Sequence, residues 1–529
     1  MTYRNQRRSS GVLLAVSAMA LAPLAVAPAA PQAAQTESAA ESIRAPAGRP
    51  NVVVIMTDDM RSDDLRWMPQ TRRLIGRQGA RFVNSFSPYP LCCPARASFL
   101  NGQYTHNHGV WSTREPFGFQ SFNDRRTLPV WLRRAGYNTL FLGKYLNGYG
   151  RQPTFHGRRS VRYVPPGWTD WRASIDGGLR RSHPLNGGTY RYFDMTLNAN
   201  GRLNGHAGQY STKVVGEQSV KMIGRYSRAR KPFFLWANYV APHKGSPVER
   251  DDPRPVRRRG GGVTDIVTPA VTDRVRGRFN NAIRRPAGLP TEKDVSDKPR
   301  YLQEPRINRR ERRAMVEGAR QRAESLWLVD RQVARTVRSL RAAGELSRTI
   351  LMFTSDNGYF QGEHRKRQGK ATPYTPALSV PLLMRGPGIP HGVTRRTPFL
   401  SIDFAPTILD AANARQRRSI DGQALLKAAR NGGGGWKRGV LTEVRYVGRN
   451  AQASPRRWRS STGVRVPGLY YAEHSTGDRE LYDMRRDPGQ LRNVAGDPAY
   501  AARQRRMARI LDDLRDCSGA GCRRSLSSW

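Results

Sequence analysis

An α/β fold built on a mainly parallel central sheet is what this sequence predicts, and three observations predict it. Four short runs carry an unbroken apolar stretch, as in strands covered on both faces. Helix-like stretches lie between those runs, the alternation expected of parallel strands with crossover helices. After about residue 411 the pattern changes to short alternating segments, which predict a smaller α+β subdomain with an antiparallel sheet.

In chain order, residues 1–34 read as an export signal. Arg4, Arg7 and Arg8 form its positive start, and Val12 to Leu24 is an apolar stretch short for a membrane span. Ala25-Val26-Ala27 is its small-residue cleavage site. The general secretory route fits better than twin-arginine export, because the residues after Arg7-Arg8 match the latter poorly. Residues 35–47 close an Ala/Pro/Gln-rich stretch and read as a flexible lead-in to a secreted protein with no stable membrane span. The larger domain covers 48–410. Its first strand is Asn51 to Met56, followed by Thr139 to Leu142, Lys231 to Trp236 and Arg348 to Thr354. A helix is expected over Ala323 to Leu340, where Leu326, Val329, Val333, Val337 and Leu340 recur near helical spacing. Pro247 to Arg313 is rich in Arg, Pro and Gly and reads as a surface excursion lining a cleft. In the subdomain, 411–529, Asn431 to Gly435 is a glycine loop. Gly468 to Ala472 and Arg479 to Asp483 are short strands, and Ala501 to Leu514 is a closing helix. Cys517 and Cys522 flank Ser-Gly-Ala-Gly and fit a small disulfide loop in an oxidising compartment.

Composition narrows the function. With 529 residues, 38% of them hydrophobic, and 16 Phe, 20 Tyr and 10 Trp, the chain can bury a large core and is not a disordered polymer. The formal net charge of +49 attracts anions. No helix-turn-helix, finger or aromatic RNA-binding pattern accompanies it, so no nucleic-acid partner is expected. The basic residues are overwhelmingly arginine, a bias that a GC-rich coding background also produces.

The chemistry sits where the strands end. Asp58-Asp59 follows the first strand and Asp356-Asn357 follows the strand ending at Thr354. In open α/β sheets, ligands collect beyond the carboxyl ends of strands. Three carboxylates and an amide oxygen form a hard donor set that suits Ca²⁺, or Mg²⁺, and not structural zinc. A second segment, Leu91-Cys92-Cys93-Pro94-Ala95-Arg96-Ala97-Ser98-Phe99-Leu100-Asn101-Gly102, opens a helix. Such a terminus favours anions and activates nucleophiles. Two buried small side chains are the simpler reading of Cys92-Cys93 taken alone.

Cys92-x-Pro94-x-Arg96 with Ala-Ser-Phe-Leu-Asn-Gly resembles the signature of the type I, formylglycine-dependent sulfatases. The resemblance runs from about Arg49 to Pro498. It includes Gly143-Lys144-Tyr145-Leu146-Asn147, Ala241-Pro242-His243, Phe353 to Gly358, Gly369-Lys370, Val380 to Leu383, and Leu481-Tyr482-Asp483 with Asp487-Pro488 and Asn493. Cys92-Cys93-Pro94, Gly143 to Asn147 and Thr354 to Tyr359 are most similar to the N-acetylglucosamine-6-sulfatases of glycosaminoglycan breakdown. The resemblance implies an alkaline-phosphatase-like sandwich. It implies calcium ligation by Asp58, Asp59, Asp356 and Asn357, joined by an oxygen on residue 92. It implies that a maturation enzyme oxidises Cys92 to formylglycine, whose hydrate Arg96 holds. Lys144 and Lys370 are then the cations that grip sulfate, and His243 is the acid for the leaving alcohol. Asn147 is expected to line the substrate site, and so is His364, because it sits shortly after the Asp356-Asn357 pair in a loop that would border the pocket.

A hydrated aldehyde explains why such an enzyme would not use serine. One hydroxyl attacks sulfur, and the second then expels sulfate and restores the aldehyde. One departure stands out. Many sulfatases carry a histidine two residues after the lysine matching Lys144, and here that residue is Leu146. The base for sulfate elimination is therefore unassigned; His106 and His108 are the nearest histidines in sequence. The leading substrate is a sulfated carbohydrate ending in 6-O-sulfated N-acetylglucosamine. Alternatives are a broad aryl or alkyl sulfatase, and a phosphodiester or phosphonate hydrolase of the same superfamily.

Overall fold

The computed structural model describes residues 48–258, 261–446 and 459–528. The export signal and lead-in expected at 1–34 and 35–47 lie outside the described residues. Among those described, no helix is long and apolar enough to cross a membrane.

Ten strands form one sheet. In chain order they are β1 (Asn51–Thr57), β2 (Ala80–Phe82), β3 (Asn138–Lys144), β4 (Asp170–Ser174), β5 (Asp194–Ala199), β6 (Arg202–Ala207), β7 (Phe233–Asn238), β8 (Thr349–Ser355), β9 (Leu382–Arg385) and β10 (Val393–Arg395). Their order across the sheet is β10-β2-β9-β8-β1-β7-β3-β4-β5-β6. The five central strands, β8-β1-β7-β3-β4, are parallel. On one side β9 and β2 run antiparallel to their inner neighbours, and on the other β5 and β6 do. The four expected runs all lie in the parallel centre. The flanking strands are short or half polar, which is why hydrophobic pattern alone does not find them.

The central strands are apolar throughout because both faces are covered. Val52, Val54 and Met56 pack with Phe141, Trp171 and Trp236 against α1 (Cys92–Asn101), α2 (Leu128–Arg134) and a helix from Phe404 to Ala411. Val53 and Ile55 point the other way. They pack with Leu235, Leu351 and Phe353 against α3 (Ser211–Tyr226) and α4 (Arg309–Ala342). The α4 helix is longer than its apolar repeat suggests. Asn308 and Glu311 form a capping box that starts it inside the stretch read as a surface excursion. The rest of that excursion is loop, with a two-stranded ribbon pairing Val256–Arg257 with Val263–Thr264.

Ile420, Leu425, Leu426 and Ala429 pack into the core of the large sheet. The smaller sheet begins at Val440. Its strands, β11 (Val440–Tyr446), β12 (Arg459–Val466), β13 (Leu469–His474) and β14 (Arg479–Asp483), form an antiparallel meander. A helix, α5 (Ala501–Arg515), closes it through Met507, Ile510, Leu511 and Leu514. Phe86, Tyr104, Leu400 and Ile402 join that same core, so the two sheets share an apolar seam. Cys517 and Cys522 are disulfide-bonded beside it.

Candidate active site

Four neighbouring strands deliver the site from their carboxyl ends. Thr57 and Ser355 are paired in register, so Asp58 on β1 and Asp356 on β8 leave the sheet level with each other. Asn238 ends β7 and Lys144 ends β3. Gly143 is required before Lys144, since it has φ +90° and a Cβ there would lie 1.9 Å from the Asn238 carbonyl oxygen. Asp59 has φ +66°, a left-handed conformation that aspartate tolerates better than most residues.

Cys92 sits at the first turn of α1, facing these ends. Its Sγ lies 3.1 Å from Asp58 Oδ1, 3.9 Å from Asp59 Oδ1 and 2.8 Å from Lys370 Nζ. Ligand atoms of Asp58, Asp59, Cys92 and Asp356 all lie within 4.8 Å of one another, and all four residues are buried. Asn357 Nδ2 donates to Asp59 Oδ1 at 2.7 Å, while the buried Asn357 Oδ1 has no partner. Crowded carboxylates beside an unpartnered amide oxygen are what a hard cation needs. The donor set therefore fits calcium or magnesium.

Cations surround this acidic centre. Arg96 Nε binds Asp356 Oδ2 at 2.8 Å, and its Nη1 donates to the Lys144 carbonyl (2.8 Å) and Asn238 Oδ1 (2.9 Å). Arg96 thus locks α1 to three strand ends. Lys144 pairs with Asp58, and Lys370 pairs with Asp59. Burial works against the charge of Asp59, but Lys370, His243 and Lys144 together hold its carboxyl below the usual range. Burial first, and then the Asp58 carboxylate, push the Cys92 thiol well above its ordinary value. An unmodified Cys92 is therefore a protonated, poor nucleophile.

His243 Nε2 stands 3.7 Å from Asp59 Oδ2, and its Nδ1 lies 2.7 Å from the Lys244 carbonyl oxygen, to which it donates. Burial, with Lys370 and Lys144 adding to it against Asp59, lowers its pKa to about 3. Tyr190 completes the inner wall. Its ring is 4.6 Å from that of His243 and 5.2 Å from Lys144 Nζ, and its hydroxyl accepts from Asn147 Nδ2 at 2.5 Å. Outward from Cys92 and Lys370 opens a cleft of about 1170 Å³. Its walls include Arg114, Arg151 and Asp176 on one side, and Asp252 and Asp265 from the 247–313 stretch on the other.

The structure thus brings together Asp58, Asp59, Cys92, Arg96, Lys144, Asn147, His243, Asp356, Asn357 and Lys370. It does not bring His364 to the cleft, which corrects the expectation for that residue. His364 is buried, stacked on Tyr374 at 4.1 Å with Nδ1 3.1 Å from Glu292 Oε2. The turn that carries it bends with left-handed backbone at His364 and Arg365, which carries the side chain inward. Both ring nitrogens of the two histidines nearest Cys92 in sequence are engaged, in keeping with a structural role. His106 is bound at both nitrogens, to Glu443 (3.0 Å) and the Cys517 carbonyl (2.7 Å). His108 is bound to Ser98 (3.0 Å) and the Val110 amide (3.1 Å). Three residues escaped the sequence reading: Tyr190, Asn238, and Arg322, which donates from α4 to the backbone oxygens of Asp59 (2.5 Å) and Pro242 (3.1 Å). Only Asn238 left a signal, as a polar residue closing an apolar run.

Comparisons with known proteins agree with this geometry. The profile of the Sulfatase family matches residues 50–414, and that of the N-sulphoglucosamine sulphohydrolase C-terminal region matches 362–517. An arylsulfatase of Volvox carteri is 32% identical, over 90% of this chain and 76% of its own length. The human N-acetylglucosamine-6-sulfatase is 30% identical, over 90% and 86%. Among solved structures, one in complex with its substrate D-glucosamine-2-N,6-O-disulfate superposes with a TM-score of 0.69 at 23% identity, covering 90% of this chain and 98% of that one.

Proposed function

The chain belongs to the sulfatase family, and from that premise we propose that it removes sulfate from 6-O-sulfated N-acetylglucosamine at the end of a sulfated carbohydrate, after export from the cell. One observation carries the chemical part. Cys92 stands at a helix start, within ligand distance of three carboxylates and in contact with Lys370. The N-acetylglucosamine-6-sulfatase relatives support this choice of substrate. The similar identity to an arylsulfatase supports a broader aryl sulfatase as the second reading. The export signal read at 1–34 and the Cys517–Cys522 disulfide support secretion.

Calcium, or magnesium, would be held by Asp58, Asp59, Asp356 and Asn357 with an oxygen from residue 92, and would supply positive charge for the sulfate oxygens. Oxidised to formylglycine by a maturation enzyme, residue 92 supplies the nucleophilic hydroxyl as a hydrated aldehyde. The remaining work belongs to side chains in place. Lys144 and Lys370 offset the charge of the sulfate and of the transition state, in a buried setting that strengthens them. Arg96 fixes residue 92 and Asp356 relative to each other. Burial, with Lys370 and Lys144, favours neutral His243. A sulfate ester entering beside Nε2 brings negative charge, which favours the imidazolium and lets Nε2 protonate the leaving oxygen. Asn147 and Tyr190, bonded to each other, shape the wall that the sugar meets.

The test is a mass spectrum of the tryptic peptide Phe82 to Arg96 from the native host, with turnover measured on N-acetylglucosamine 6-sulfate, an aryl sulfate and an aryl phosphate. An aldehyde at Cys92 and release of sulfate from the sugar are expected. Two intact thiols, or a preference for the phosphate, would overturn the reading.

A further inference from the structure

A second cavity, of about 450 Å³, lies between the start of α3 and the middle of α4, under residues 272–278. Its charge is of one sign. Lys213, Arg274, Arg278 and Arg331 line it, and no lining residue is acidic, although Lys213 also pairs with Glu217 at 3.9 Å. Among the described residues, Arg274 and Arg331 make no ion pair, and the nearest carboxylate on the roof, Asp273, is held by Arg276 at 3.1 Å. The floor is apolar and firm. Trp327 carries the Arg278 guanidinium 3.8 Å above its ring and meets Phe279 edge-on. Tyr210, Thr212 and Gln332 add polar groups around it.

Exposed cations around an apolar platform, two of them without an ion pair, match one kind of ligand. A sulfated or carboxylated sugar offers anionic groups at its rim and C–H faces between them, with hydroxyls for the polar side chains. A long, flat basic face would suit a duplex better, and this site is a compact pocket. Its position supports the same ligand. Asp265 to Thr268 line the catalytic cleft, and Thr272 to Arg278 line the second cavity. The four residues from Thr268 to Thr272 span at most about 14 Å of chain. The two cavities are therefore neighbours along one stretch of chain, 265–278.

We propose that this cavity is a second, non-catalytic binding site for the acidic sugar units of a sulfated polysaccharide whose end lies in the catalytic cleft. The identity of the ligand rests on the sulfatase reading above. The site lets a polymer bind at two points, so that the second contact raises the local concentration of the chain end.

The experiment compares R274E/R331E with R338E/R341E, an equal charge change at two exposed positions farther along α4. Binding of a heparin-derived hexasaccharide is measured by calorimetry on the full chain, and turnover on 4-nitrocatechol sulfate. The cavity pair should weaken hexasaccharide binding about tenfold and the control pair far less, with kcat and KM on the aryl sulfate unchanged in both. R274Q/R331Q, which removes charge without reversing it, should fall between. Equal weakening by both pairs would overturn the proposal, since only net charge would then matter. Displacement of the hexasaccharide by duplex DNA at equal concentration would overturn it too. Aryl sulfate turnover by the unsubstituted protein tests the sulfatase reading separately.

Discussion

The candidate active site and the seam between the two sheets are both built from buried charge, and they use it in different ways. At the centre, Asp58, Asp59 and Asp356 crowd together with Cys92, and an amide oxygen beside them is unpartnered. At the seam, carboxylates stand apart, each with its own partners. Asp403 takes Arg438 and the Leu400 and Gln423 amides, and Glu443 takes His106 and the Thr105 amide. Like charges packed together cost folding free energy and repel, so they persist where a ligand will use them. At the centre Lys144, Lys370 and Arg96 each pair with one carboxylate, yet the carboxylates still crowd one another; at the seam each matched pair stands apart and serves architecture. The histidines divide the same way. His106 and His474 are bound at both nitrogens, whereas His243 keeps Nε2 toward the centre.

If that contrast holds, damage to the centre removes activity and leaves the fold, and damage to the seam does the reverse. The largest effect expected is from Cys92→Ala, which should lower kcat by on the order of 10⁴-fold or more with an unchanged thermal midpoint. Cys93→Ala is the paired control. Its buried Sγ only approaches the Asn147 carbonyl, at 3.9 Å, so loss of the sulfur should cost about 1 kcal/mol of stability and little turnover. Retained activity in Cys92→Ala would remove that residue from the mechanism. Next in size, Lys144→Ala and Lys370→Ala should each lower kcat on an aryl sulfate by roughly 10²–10³-fold. Steady-state kinetics would refute this if only KM rose. At the seam, Asp403→Asn leaves Arg438 buried without its countercharge. It should cost about 3–5 kcal/mol in denaturant unfolding, while kcat and KM stay put.

The centre was legible in the sequence because chemistry constrains residue type and spacing at once. Asp-Asp after one apolar run, Asp-Asn after another and C-x-P-x-R before a helix each have few other uses together. The parallel heart of the sheet was legible because strands covered on both faces must be apolar throughout. What sits around them was not. Tyr190 lies in a stretch between strands with no periodicity, and nothing local says that its hydroxyl meets Asn147. Arg322 looks like any basic residue on an arginine-rich helix, until α4 is seen to cross the Asp59 backbone. His364 failed for the converse reason. Nearness in sequence to Asp356 suggested the cleft, and a left-handed turn buried the ring elsewhere.

The smallest effect sharpens the contrast through pH. Burial opposes a charge on His106, yet the Glu443 hydrogen bond and charge, with the Cys517 carbonyl, raise its pKa from 6.5 to about 9. A group whose pKa is higher in the folded state stabilises the fold in full below its unfolded value. That contribution fades as pH rises through the folded value. His106 should therefore stabilise the seam at pH 6 and lose that contribution between about pH 6.5 and 9. In His106→Gln the side chain keeps polar contacts but not the charge. The thermal midpoint of the variant should be lower than that of the parent at pH 6, and the two should converge above pH 9. Other groups also titrate in this window, so the difference between the two proteins carries the information rather than either curve. Parallel curves across the window would show that His106 is neutral at the seam, and that the seam is held by packing and its other ion pairs alone.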